Sequence, residues 1–111
     1  MSLTKPVLHT LSNGIQIVAE SMPGTRSMVI ALRFKFGTKD DPKDQQGLAY
    51  IAENTLFKGT PHQDAREIFD SFDALGIRRS SSTAIEYTEF QARILPRHFR
   101  KTVNLYSEIF R

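Results

Sequence analysis

The chain has 111 residues, 40% hydrophobic and 24% charged, with a net charge of +3; this suits one soluble globular domain that buries about two thirds of the surface its unfolded form exposes. With no cysteine, disulfides and thiolate metal sites are excluded, and no apolar run of about 18 residues is present to span a membrane. Basic residues concentrate only at Arg78-Arg79 and over residues 97–101, without the aromatic interleaving of a nucleic-acid surface, so they read as a solvated face.

The first residues lack the basic-then-apolar pattern of a secretion signal, and Met1-Ser2-Leu3 reads as a vector leader standing where one would be. The compartment stays open: cytoplasmic, or periplasmic if the protein is bacterial. Residues 7–11 and 14–20 read as two short strands joined by a turn at Ser12-Asn13-Gly14. After a loop at Pro23-Gly24, residues 28–36 alternate, with Met28, Ile30, Leu32, Phe34 and Phe36 on one face and Val29, Ala31, Arg33 and Lys35 on the other. That alternation predicts a strand with one strongly apolar side. A polar loop over residues 37–46 leads to a predicted helix over 47–57, with Leu48, Ile51, Ala52 and Leu56 as its apolar face.

Gly59 and Pro61 break that helix. A second starts at Asp64, spaced with Glu67 as a capping pair. Its stripe is Ile68, Phe69, Phe72 and Leu75, and Gly76 stands at the C-cap position. Residues 77–95 read as two strands, with Ile85, Tyr87 and Thr83 alternating in the first and Phe90, Ala92 and Ile94 in the second. Beyond Pro96 a third helix over residues 99–110 carries Phe99, Val103, Tyr106 and Phe110, widened by Leu105 and Ile109, with Asn104 and Glu108 off the stripe. The order predicts an α+β domain: a largely antiparallel sheet with helices packed on one face.

The segment from Gly47 to Thr60 carries the chemistry. With histidine at positions 50 and 54 it would contain the inverted zinc motif H-x-x-E-H on an amphipathic helix. Here those positions are Tyr50 and Asn54, and the glutamate, Glu53, remains. Residues four apart share a helix face, so two imidazoles there would meet one metal. A phenol with a pKa near 10 and a neutral carboxamide are poor substitutes.

Several motifs in order resemble the M16 family of metallopeptidases (insulinase, pitrilysin and mitochondrial processing peptidase relatives). Residues 11–18, Leu-Ser-Asn-Gly-Ile-Gln-Ile-Val, resemble the family's L-x-N-G-hydrophobic hairpin, and Gly37-Thr38-Lys39-Asp40-Asp41 its G-[ST]-x-x-[DE] loop. Gly47-Leu48-Ala49 and Leu56-Phe57-Lys58-Gly59-Thr60 flank the metal motif as in active members. Leu75-Gly76, followed by Ser80, Ser81, Thr83, Glu86, Thr88 and Phe90, is similar to the strand L-G-G-x-x-N-A-x-T-S-x-[DE]-x-T-x-[YF], with Ser80-Ser81 in place of Asn-Ala. The resemblance implies an M16/LuxS-like metallohydrolase fold, of which residues 1–111 form the N-terminal part of a single domain.

It also implies that active members hold zinc on the two histidines and a later glutamate, with the motif glutamate, here Glu53, as general base. No cofactor is expected in this chain. Zinc lowers the pKa of bound water from 15.7 to about 7, so a metal-free site forfeits up to roughly 12 kcal/mol in generating hydroxide. General-base assistance worth about 10² to 10⁴ in rate does not recover that. Two structural readings of Glu53 compete with a catalytic one: an ion pair with Arg33 or Lys35, and a hydrogen bond with Tyr50. His9, His62 and His98 lack a metal-ligand spacing.

The resemblance places a substrate edge at Ser80, Ser81, Ser82, Thr83 and Ala84, where a peptide would add as a strand; an ordinary exposed or paired strand of small polar residues is the competing reading. The function expected first is a non-catalytic M16-like domain that pairs with an active M16 subunit or second domain and helps form a chamber for a peptide or unfolded polypeptide. The alternatives are a zinc metalloendopeptidase with an unusual or separately supplied metal site, and an assembly subunit like the core proteins of respiratory complexes. Apolar faces on the helices bearing Phe69, Phe72 and Phe110 predict self-association or cover by further chain.

Overall fold

The computed structural model describes residues 5–110; the leader read at residues 1–3 lies outside them. Strands β1 (Val7–Thr10) and β2 (Gln16–Ala19) form a separate antiparallel hairpin, with Thr10 opposite Gln16. Its turn is closed by Gly14 N–H donating to the Leu11 carbonyl (2.9 Å) and by Ile15 N–H donating to Asn13 Oδ1 (3.1 Å). The main sheet has the order β3-β5-β4, built from β3 (Met28–Phe34), β4 (Arg78–Thr83) and β5 (Thr88–Ile94), both pairings antiparallel. Helices α1 (Leu48–Thr55), α2 (Ala65–Ala74) and α3 (Phe99–Ile109) complete the fold.

Alternation along β5 turns Thr88, Phe90, Ala92 and Ile94 inward, all buried. Register then puts Met28, Ile30, Leu32 and Phe34 of β3, and Arg79, Ser81 and Thr83 of β4, on that same face. Phe57, Ile68, Phe72, Ile77, Tyr106 and Ile109 close the core over it. The rings interlock. Phe110 lies 5.0 Å from both Phe34 and Phe90, and Phe57 lies 5.7 Å from Phe90, within the range where aromatic pairs add about 0.5–1.5 kcal/mol beyond burial. The opposite face of the sheet carries Val29, Ala31, Arg33, Arg78, Ser80, Ser82, Gln91 and Arg93, all exposed. The domain is therefore α+β, with its helices on one face of an antiparallel sheet.

Helix α2 forms as its signals predict. Asp64 Oδ1 accepts from Glu67 N–H at 2.8 Å, and Gly76 ends the helix at a φ of 67° that side chains disfavour. Elsewhere the structure corrects the expectations. Strand β3 stops at Phe34, short of Phe36. Ile85 and Tyr87 lie in the β4–β5 turn, not in a strand. The turn is closed by Ala84 N–H to the Tyr87 carbonyl (2.8 Å), while Thr38 and Lys39 N–H take the Ala84 and Ile85 carbonyls. In α3 the inward residues are Thr102, Tyr106 and Ile109, and Phe99 and Val103 face outward. Thr102 can be buried because its hydroxyl donates to the His98 carbonyl at 2.8 Å.

Helix α1 departs furthest. Its buried residues are Ala49 and Glu53, while Leu48 and Ile51 are exposed and Ala52 and Leu56 are half-buried. The apolar periodicity misplaces the inward face because the strand that α1 meets, β4, presents hydroxyls there.

Candidate functional site

The site begins with the loop that enters α1. Gly47 occupies the N-cap and has no side chain to satisfy the helix's first N–H groups. Asp41 does so from six residues upstream, its two oxygens accepting from Gly47 and Ala49 N–H at 2.9 Å each. Asp40 steadies the same loop by accepting from Gly37 N–H at 3.0 Å. At Gly37 itself a Cβ would run into the carbonyl oxygens of Ala84 and Ile85. Only glycine lets these backbones approach, and the contact locks the loop to the end of β4.

On α1, Glu53 points into the protein and is only 5% exposed. Ser81 Oγ donates to its Oε1 at 2.7 Å, and Thr83 Oγ1 donates to its Oε2. Both carboxylate oxygens thus engage β4, and no buried side-chain polar atom among the described residues lacks a partner. The structure corrects both ion-pair and Tyr50 readings of Glu53. Arg33 instead pairs with Glu89, with Nη2 2.6 Å from Oε2, and lies 4.2 Å from the Tyr87 ring centroid. Among the described residues no ion pair links Glu53 to Lys35.

Tyr50 is 60% exposed, and Asn54 is exposed with its Nδ2 donating to the Tyr50 carbonyl at 2.8 Å. The three side chains do not converge on one point: the phenol faces solvent, the amide nitrogen returns to its own helix, and the carboxylate faces the sheet. Among the described residues no three His, Cys, Asp or Glu side chains cluster as a metal site. His9 is in β1, His62 in the α1–α2 connection and His98 in the turn before α3.

Of the residues read as a substrate edge, Ser80, Ser81, Ser82 and Thr83 lie in β4, an outer strand of the sheet, with Ser81 and Thr83 turned to Glu53 and Ser80 and Ser82 on the exposed face. Ala84 lies beyond the strand, its carbonyl taken by Thr38 N–H at 3.0 Å. Next to them Arg79 sits on three rings, 4.7 Å from the Phe57 centroid, 4.8 Å from Phe69 and 4.5 Å from Phe72. Burial lowers its guanidinium pKa, against the opposing influence of Tyr106 and Asp73, and burial raises that of the Tyr106 phenol. Sequence reasoning missed the Glu53 hydroxyl pair. The signal was present in Ser81 and Thr83, two apart and opposite Phe90 and Thr88 on the inward face.

The family model for Insulinase (Peptidase family M16) matches residues 16–111. A Bacillus subtilis protein named uncharacterized zinc protease YmxG is 32% identical over 102 residues, covering 92% of this chain and 25% of that protein. A Streptomyces coelicolor protein named uncharacterized zinc protease SCO5738 is 36% identical over 86 residues, 78% of this chain and 19% of its own length. Among solved structures, a Helicobacter pylori protease superposes with a TM-score of 0.89 at 24% identity, over 97% of this chain and 26% of that one. A Pseudomonas fluorescens domain described as a peptidase M16 inactive domain gives 0.85 at 17% identity, over 95% and 26%. The chain spans about a quarter or less of the length of these relatives.

Proposed function

The chain belongs to peptidase family M16, and from that premise we propose that it is a non-catalytic, peptide-holding part of an M16 assembly. In this reading it pairs with an active M16 domain or subunit, closes one side of the substrate chamber and offers the edge of β4 to an extended polypeptide. The observation that carries the reading is the engagement of both Glu53 oxygens by Ser81 and Thr83. A general base in this family has to face a metal-bound water, and this carboxylate faces the sheet.

Zinc does not fit the residues present. Tyr50 offers a solvent-facing phenol, Asn54 a neutral amide whose nitrogen is bound to the backbone, and Glu53 a carboxylate already in use. No step of peptide hydrolysis is therefore routed through this helix. The edge of β4 supports the peptide-holding part of the reading: it is unpaired among the described residues and carries small side chains from Ser80 to Thr83, so main-chain hydrogen bonding is open to an added strand. No helix among the described residues is long and apolar enough to cross a membrane.

The names of the Bacillus and Streptomyces relatives favour the alternative of an active zinc protease with its metal supplied in another way. Metal analysis together with a peptidase assay separates the two. The expected result is no stoichiometric zinc and no cleavage by this protein alone, and cleavage of unfolded polypeptide when an H-x-x-E-H-bearing M16 partner is added. Stoichiometric zinc that is lost in Glu53→Gln, with cleavage in the absence of any partner, would overturn the proposal.

A further inference from the structure

The exposed face of the main sheet is built from three cross-strand rows: Arg78–Arg93–Val29, Ser80–Gln91–Ala31 and Ser82–Glu89–Arg33. Charge is settled in the last row, where Glu89 binds Arg33 through two hydrogen bonds of 2.6 and 3.0 Å. It is not settled in the first. Arg78 and Arg93 stand directly opposite each other on neighbouring strands, and among the described residues neither side chain has an ion pair, a hydrogen-bond acceptor or a ring partner. Like charges in direct cross-strand register are destabilising. The neighbouring row supplies only Ser80 and Gln91, and the two arginines line a depression with Val29, Arg79, Ser80 and Gln91.

Arg78 belongs to the outer strand, at its start, so this positive pair sits beside the free edge. Resting on the reading that a peptide adds to β4, we propose that Arg78 and Arg93 select a carboxylate, so that the bound peptide carries Asp or Glu at the position in register with Arg78. A cross-strand neighbour shares the face of its partner, with Cβ atoms about 4.5–5.5 Å apart. A carboxylate there falls within reach of the Arg78 guanidinium, whose planar fork matches two carboxylate oxygens. Arg93 lies one strand further in, about 10 Å from the added strand at ordinary strand spacing, and its side chain, which lines the same depression as Arg78, is long enough to extend toward that point. Peptide positions two and four residues away meet Ser80 and Ser82, which are small and uncharged. The selection is therefore confined to a single position.

The test uses a set of labelled strand-forming peptides in which one residue at a time is Glu or Gln, titrated against the intact protein and its Arg78→Gln/Arg93→Gln variant. One position is expected at which Glu binds about tenfold more tightly than Gln, with the preference shrinking as salt rises and disappearing in the double variant. Binding of the Gln peptide should be equal in both proteins. The variant's unfolding midpoint should be unchanged or raised, because it removes a repulsive pair. Equal binding of Glu and Gln peptides at every position, or a preference that survives the double substitution, would overturn the proposal and leave the peptide-holding reading standing. Failure of every peptide to bind, with no protection of β4 amides from exchange, would overturn both. Displacement of Glu and Gln peptides alike by millimolar phosphate would reduce the pair to a general anion site and overturn the selectivity.

Discussion

Replacing Glu53 tests whether this glutamate holds the fold or stands ready for chemistry. It is 5% exposed and accepts hydroxyl donors from Ser81 and Thr83, so Glu53→Ala deletes two hydrogen bonds to a charged acceptor. Such bonds are worth about 1.5–3 kcal/mol each when one partner is removed. Ser81 is exposed and regains water once freed, whereas Thr83 is half-buried and regains less. The expected loss is therefore about 2–4 kcal/mol, less than the full sum, and a large part of the roughly 5–15 kcal/mol of a typical domain. Glu53→Gln keeps one acceptor oxygen and should lose about half as much. Denaturant titrations of the single variants, of Thr83→Val and of the Glu53→Ala/Thr83→Val double variant give the coupling directly, expected at about 1–2 kcal/mol. Tyr50→Ala and Asn54→Ala, both at exposed positions, are the internal controls and should stay within about 0.5 kcal/mol of the parent. If Glu53→Ala is as stable as those controls, the carboxylate is not a tie between helix and sheet.

Three further outcomes follow from the same geometry. Asp41→Ala removes the side-chain cap of Gly47 and Ala49 N–H and should cost about 1–2 kcal/mol, with faster amide exchange in the first turn of α1. Gly37→Ala drives a methyl group against the Ala84 and Ile85 carbonyls and should cost about 1–3 kcal/mol, read as a lowered urea midpoint with an unchanged slope. Tyr50→His/Asn54→His restores two imidazoles to one helix face. Zinc titration should then raise the melting temperature in a concentration-dependent way, while the parent shows no shift; an equal shift in both proteins would refute the reading of the ligand positions.

The elements that announced themselves in the sequence were those whose own residues decide their fate. Strand β5 shows its inward face as Phe90, Ala92 and Ile94, and α2 carries both its cap and its stop. Where a partner decides, the pattern misleads. Leu48 and Ile51 make α1 look as though it buries an apolar stripe, yet the surface it meets is hydroxyl-bearing, so Ala49 and Glu53 turn inward. Ile85 has the composition of a strand but follows the point where the loop at residues 37–40 captures the β4 end, an event set by Gly37 and invisible to local periodicity. Phe99 and Val103 give way to Thr102 because a threonine can satisfy its hydroxyl on its own helix.

The same contrast separates what the sequence could say about the site from what it could not. That Tyr50 and Asn54 stand where the family resemblance implies imidazoles is plain from residue identity. The consequence for Glu53 is not, because the glutamate kept in a degenerate motif reads as base, as ion-pair partner of Arg33 or Lys35, or as hydrogen-bond partner of Tyr50. The sheet shows what the carboxylate touches. Ser81 and Thr83 bind the carboxylate from the very strand whose outer edge is open, so anything that pulls on β4 also pulls on α1. A peptide laid along that edge would hydrogen-bond to the backbone of residues whose side chains hold Glu53, and would thereby tighten the tie between helix and sheet. Peptide binding should then protect the α1 amides from exchange along with those of β4, and this protection should be lost for α1, but kept for β4, in Glu53→Ala.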